Sequence, residues 1–160
     1  MLQRIQTLFL AMIPLVLSIM QFLPIWSKVE PITLHSYTLY AWKLQETYLA
    51  QSLVHTWVSP YLVIGVLAII ISLLAIYSIL RYDNRVLQLQ VGAINSLLLT
   101  ALVSVMVYWA VQTQEAWLPE IGGSYQRGFM MPMLAVAGNL LANYFIRKDE
   151  RLVQSANRIR

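Results

Sequence analysis

Residues 61–80 read YLVIGVLAIIISLLAIYSIL, twenty positions without a charge. At about 1.5 Å per residue, a helix of that length crosses the roughly 30 Å hydrocarbon layer of a bilayer in one pass. The polar turn Arg81-Tyr82-Asp83-Asn84-Arg85 stops the run, and a second apolar stretch follows over 89–111. Two such stretches joined by a short turn predict a membrane hairpin, and the rest of the chain reads as its flanks.

Before the hairpin, residues 5–25 (IQTLFLAMIPLVLSIMQFLPI) form another apolar run behind one early cation, Arg4. The run exceeds the roughly 7–15-residue core of a signal peptide, and Leu23-Pro24-Ile25-Trp26 offers no small-residue cleavage site, so a retained helix is expected. Pro14 predicts a kink, because proline removes a backbone donor. Trp26 is expected at the membrane surface, where amphipathic rings settle. After the hairpin, 129–146 reads as a last helix. The expected fold class is all-α: a membrane protein built as a four-transmembrane-helix bundle, in a single domain 1–160, with helices over about 5–26, 60–80, 89–111 and 129–146. Composition agrees, since 59% hydrophobic and 11% charged residues lie outside the range of ordinary soluble domains. The absence of cysteine excludes disulfides, thiolate metal sites and cysteine nucleophiles.

Two stretches remain outside the lipid. Residues 27–59 carry Tyr37, Tyr40, Trp42, Tyr48 and Trp57, which predicts a small packed aromatic cap. Residues 35–44 alternate loosely, and 46–58 reads as a returning strand or an interfacial helix. A short β-hairpin therefore fits there, although no Asn-Gly or Gly-Gly marks its turn. The second stretch, 112–128, holds Glu115, Trp117, Pro119, Glu120 and the Gly122-Gly123 pair. Of eleven Lys and Arg residues, eight lie with the termini and the 81–85 turn: Arg4, Arg81, Arg85, Arg147, Lys148, Arg151, Arg158 and Arg160. Lys28, Lys43 and Arg127 lie on the other side. The excess of cations on cytoplasmic loops then puts both termini inside and the 27–59 and 112–128 segments in the periplasm of a bacterial inner membrane.

Each apolar run carries one stripe of small or neutral polar residues. These are Ala11, Pro14, Ser18 and Gln21; Gly65, Ala68, Ser72 and Ala75; Gly92, Ser96, Thr100 and Ser104; and Ala135, Gly138 and Ala142. In lipid, close backbone approach and cross-helix hydrogen bonds drive association, so these stripes are read as packing seams. Leu99 is read as lipid-facing. Asn95, Asn139 and Asn143 are expected to hydrogen-bond between helices, with a lined ligand pathway as the alternative. No Asp, Glu, Lys, Arg or His falls inside a run, which argues against an ion or proton pathway.

Chemistry is sparse. His35 and His55, with Glu30 and Glu46, match no metal-ligand spacing, and Ser124-Tyr125-Gln126-Arg127 matches no nucleophile motif. No catalytic, cofactor or metal site is therefore assigned. In the tail 147–160, Leu152, Val153, Ala156 and Ile159 fall at i, i+1, i+4 and i+7 against a basic face. That pattern predicts an amphipathic helix on anionic headgroups, or one docking a cytoplasmic partner. Its basic excess is too small to claim DNA or RNA, or a ribosome.

Met1-Leu2-Gln3-Arg4-Ile5-Gln6-Thr7, Tyr82-Asp83-Asn84-Arg85-Val86-Leu87-Gln88, Asn139-Leu140-Leu141-Ala142-Asn143 and the run from Ile146 to Arg160 resemble an uncharacterised family of four-helix inner-membrane proteins from the Bacteroidota, defined as a domain of unknown function. The resemblance implies four spans, an inner-membrane address and bacterial origin, and no activity. The expected function is a non-enzymatic accessory subunit of a larger membrane assembly, such as translocation, secretion or respiratory machinery. It would dock through the helix seams and the cytoplasmic basic residues, with membrane lipids as further contacts. The alternative is a stand-alone lipid- or small-molecule-binding protein or transporter component.

Overall fold

Steps of three and four residues separate the buried side chains along every helix, the spacing that keeps one helical face turned toward its neighbours. The computed structural model describes residues 2–30, 35–48, 53–116 and 122–158, with side chains between 5 and 152 in those stretches. Its helices are α1 (Leu2–Met20), α2 (Leu62–Leu80), α3 (Arg85–Ala116) and α4 (Arg127–Arg158). The interior is Leu10, Ile13, Leu17 and Met20 on α1, with Ile64, Ala68, Ile71 and Ala75 on α2. Leu99, Leu102, Met106 and Ala110 on α3 join Ala135, Ala142 and Ile146 on α4. α1 and α3 each pack on both α2 and α4, so the four helices close a ring. α2, α3 and the Arg127–Leu152 part of α4 are long and apolar enough to cross a membrane, while the apolar part of α1, Ile5–Met20, is shorter.

Five strands make one antiparallel sheet in the order β4-β3-β2-β1-β5: β1 (Trp26–Val29), β2 (His35–Leu39), β3 (Leu44–Tyr48), β4 (Leu53–Trp57) and β5 (Ser124–Tyr125). This sheet overturns the all-α expectation. Strands of two to five residues make a short pattern, and the β2–β3 turn lacks the usual dipeptides. The β2–β3 turn is instead closed by the Tyr40 N–H donating to the Lys43 carbonyl, 2.8 Å, and held down by the Gly65 N–H donating to the Ala41 carbonyl, 2.9 Å. β5 pairs with β1 from nearly a hundred residues away, which no local periodicity reveals.

Helix ends differ from expectation for local reasons. α1 stops at Met20 in a tight turn, where Gln21, Phe22 and Leu23 N–H groups donate three residues back ahead of Pro24. Trp26 consequently opens β1 and is buried beneath the sheet rather than lying at a lipid surface. α3 begins at Arg85 because Asn84 caps it, its Oδ1 accepting the Leu87 N–H at 3.0 Å. α4 continues, as the helical reading of the 147–160 tail expects, as far as Arg158.

Candidate functional site

The sheet stands at one end of the bundle, between α1 and α2 in sequence and, through β5, between α3 and α4. Side chains two apart share a strand face, and the register carries one face across four strands. Trp26, Leu39, Leu44 and Trp57 are opposite one another in the row nearer the helices. The next row is Lys28, Tyr37, Glu46 and His55, followed by His35, Tyr48 and Leu53. Lys28, Tyr37 and Glu46 are buried.

Glu46 is the centre of this polar row. The Tyr37 hydroxyl donates to its Oε1 at 2.8 Å, and His35 Nδ1 lies 3.4 Å from the same oxygen. The His35 and Tyr48 rings meet edge to face at 4.2 Å. Burial, then the hydrogen bond to Glu46, pushes the Tyr37 phenol far above its ordinary range. Burial and Glu46 also raise Tyr48. Burial pulls Lys28 below its ordinary value, opposed by the charge of Glu30. Among the described residues, no group of three or more His, Asp or Glu could hold a metal ion.

β4 closes the sheet on one side, with no strand beyond it among the described residues. Its sequence, LVHTW, contains no Lys, Arg, Asp, Glu or Pro, the residues that usually protect an edge. Leu53 and Val54 are 58% and 54% exposed. Beside them runs a groove of about 540 Å³ lined by Glu46, Tyr48, Leu53, Val54, His55 and Trp57. An uncovered backbone edge can pair with an extended segment, while alternate side chains enter a groove beside it. Composition alone could have exposed β4, as an uncharged β-prone run outside the long helices.

The residues read as packing seams go several ways. Gly65 lies against Trp42, whose ring carbons a Cβ there would meet at 2.7 Å. Gly92 lies against Asn143, and Gly138 against Met12 and the Phe9 carbonyl of α1. Asn139 Nδ2 donates to the Gly92 carbonyl at 3.0 Å and to Ser96 Oγ at 2.8 Å, joining α4 to α3. Ala68, Ala75, Ala135 and Ala142 are buried. The hydroxyls of Ser72, Thr100 and Ser104 instead donate to carbonyls four residues back on their own helices. Thr100 and Ser104 are exposed because a four-residue spacing drifts by about 40° per step in a 3.6-residue helix. On α1, Ala11 and Ser18 are exposed, so its expected seam is not the packed face. Leu99, read as lipid-facing, is fully buried.

Asn95 is fully buried with neither amide atom hydrogen-bonded, and the Asn139 and Asn143 Oδ1 atoms are likewise without a partner. Gln88 donates to the Ser78 carbonyl at 2.8 Å. Among the basic residues, Arg85 pairs with Asp149 at 3.1 Å and Glu150 at 3.8 Å, tying α3 to α4. Arg81 lies 6.0 Å from the Tyr77 ring centre. Arg147, Lys148 and Arg151 are exposed on one face of α4. The Arg4 and Arg158 side chains and all of Arg160 lie outside the described residues, as do Trp117, Pro119, Glu120, Ile159 and the side chains of Val153 and Ala156.

The family model described as Domain of unknown function (DUF4293) matches residues 2–159, and the chain belongs to that family. No curated protein matches it.

Proposed function

We propose that this family member is a non-enzymatic accessory subunit of a larger membrane assembly, of the kind serving translocation, secretion or respiration, and that it recruits its partner by strand addition to β4. The exposed, uncharged edge of β4 is the observation that carries the proposal. Gly65, Gly92 and Gly138 are occupied inside the chain, so they leave little for a partner helix to enter. The partner segment is extended and apolar where it passes Leu53 and Val54. The address is a bacterial inner membrane, with both termini cytoplasmic and the sheet periplasmic. The eight-to-three division of Lys and Arg and the resemblance to Bacteroidota inner-membrane proteins support that address.

A charge on the edge tests the idea, because edge lysines are how sheets refuse strand addition. Val54→Lys is expected to release the partner from complexes extracted from native membranes, while shifting stability by no more than about 0.5 kcal/mol. If Val54→Lys leaves the complex intact and removal of residues 152–160 dissolves it, docking belongs to the tail and strand addition fails.

A further inference from the structure

α3 and α4 leave a surface groove that changes character along its length. Its first part, of about 470 Å³, is lined by Ala93, Ser96, Leu97, Leu140, Asn143, Tyr144 and Arg147. A second part, of about 390 Å³ and lined by α4 alone, shares Tyr144 and Arg147 and adds Lys148, Arg151 and Leu152. From Leu140 to Arg151 the groove climbs about 16 Å along the α4 axis. One end is aliphatic and lies within the apolar portions of α3 and α4. The other carries three cations just beyond Ile146.

Among the described residues, no acidic side chain takes up these cations. Asp149 and Glu150, the nearest acidic residues in sequence, are turned to Arg85 of α3. Among the described residues, Arg147, Lys148 and Arg151 form no ion pair. Ser96 and Asn143 also line the groove, Asn143 at a level between Leu140 and Arg147 on α4.

We infer that this groove binds one anionic phospholipid, with an acyl chain along Ala93, Leu97 and Leu140 and the headgroup phosphate against Arg147, Lys148 and Arg151. A water-soluble phosphate or nucleic acid would satisfy the cations but not the aliphatic end. Peptides are disfavoured because the groove opens between helices that are apolar on their outer faces. Basic pockets between membrane helices recognise anionic headgroups through this combination of charge and shape.

The inference rests on the chain being membrane-embedded, independently of β4 docking, and the test separates the two failures. Protein that does not float with vesicles after an alkaline wash loses the embedding itself. Embedded protein is then extracted in mild detergent, and retention of phosphatidylglycerol against phosphatidylcholine is followed by native mass spectrometry. Wild type is expected to keep one phosphatidylglycerol in preference. The double variant Arg147→Gln, Arg151→Gln should weaken it roughly 10–30-fold. Leu97→Trp, which fills the aliphatic end and leaves every charge in place, should also weaken it, whereas Arg81→Gln should not. Equal retention of the two lipids by wild type overturns the site. So does a Leu97→Trp variant that binds normally, since general surface attraction would then account for the charge effect.

Discussion

Individual polar side chains divide into those the fold satisfies and those it leaves in tension. Asn139 spends its amide N–H groups on Gly92 and Ser96, whereas Asn95, fully buried on the same side of α3, has no partner for either amide atom. An unpaired buried amide costs about 1–3 kcal/mol, and leucine, branched at the same carbon, carries no such cost. Asn95→Leu is therefore expected to raise the thermal midpoint in detergent by roughly 2–4 °C. A lowered midpoint would show that water or a ligand serves Asn95 in the membrane. Tyr37 makes a sharper case because its environment sets a pH dependence. Its phenol is held far above the ordinary 10.0 by burial and by Glu46, so the stability it contributes is fully present below pH 10. That contribution fades as pH rises above 10, where the unfolded phenol ionises and the folded one does not. Lys28 works in the opposite sense, since its lowered folded value makes the native state more favourable as pH climbs toward its ordinary 10.5. Tyr37→Phe leaves Lys28 in place and isolates the phenol. The variant should be about 1–3 kcal/mol less stable at pH 7, with the gap narrowing above pH 10. A gap that stays constant through pH 11 in chemical denaturation would show that the folded phenol is not shifted from its ordinary value.

At the level of elements, α3 and α4 meet where Gly92 faces Asn143, and there is no space for a larger side chain. Three turns of drift carry the same stripe out to Thr100 and Ser104, which are exposed. Gly92→Leu is therefore expected to destabilise the bundle by more than about 2 kcal/mol, and Thr100→Leu to be close to neutral. Leu99→Ala should cost about 2–5 kcal/mol, as a fully buried leucine does. A ranking by thermal stability that puts Thr100→Leu with Gly92→Leu would move the seam to the whole stripe. The contrast also marks what could be read from the residues alone. The long apolar runs of α2 and α3 were legible because length and lack of charge are local properties. The packed face of α1 was not, because aliphatic Leu10, Ile13 and Leu17 face inward while the small residues Ala11 and Ser18 do not. The cap was legible as aromatic and packed, but its strands are two to five residues long and its last pairing joins Trp26 to Tyr125. The importance of Glu46 arises only from register, since Tyr37 and His35 reach it from the adjacent strand.

For the whole molecule, the arrangement of ends decides what can meet what. The sheet gathers the α1–α2 connection and the approach to α4 at one end of the bundle, and the α2–α3 turn lies at the opposite end of α2. Charge follows the same division. Arg81, Arg85, Arg147, Lys148 and Arg151 belong to the turn and the far half of α4, while Lys28, Lys43 and Arg127 belong to the sheet end. Crossing the membrane with the sheet inside would require translocating the more basic end, which the cation bias of membrane insertion opposes. Single cysteines can report the outcome because none occurs naturally. Ser36 and Ser124 lie on the sheet, and Asp83 is an exposed turn residue that spares the Asn84 cap. An impermeant thiol reagent added to intact cells is expected to label Ser36→Cys and Ser124→Cys but leave Asp83→Cys unmodified until the membrane is opened. Labelling of Asp83→Cys alone would invert the molecule and place β4 in the cytoplasm. Labelling all three in intact cells would show that the bundle does not separate the sheet from the turn across a sealed membrane, and the docking and lipid proposals would both lose their common frame.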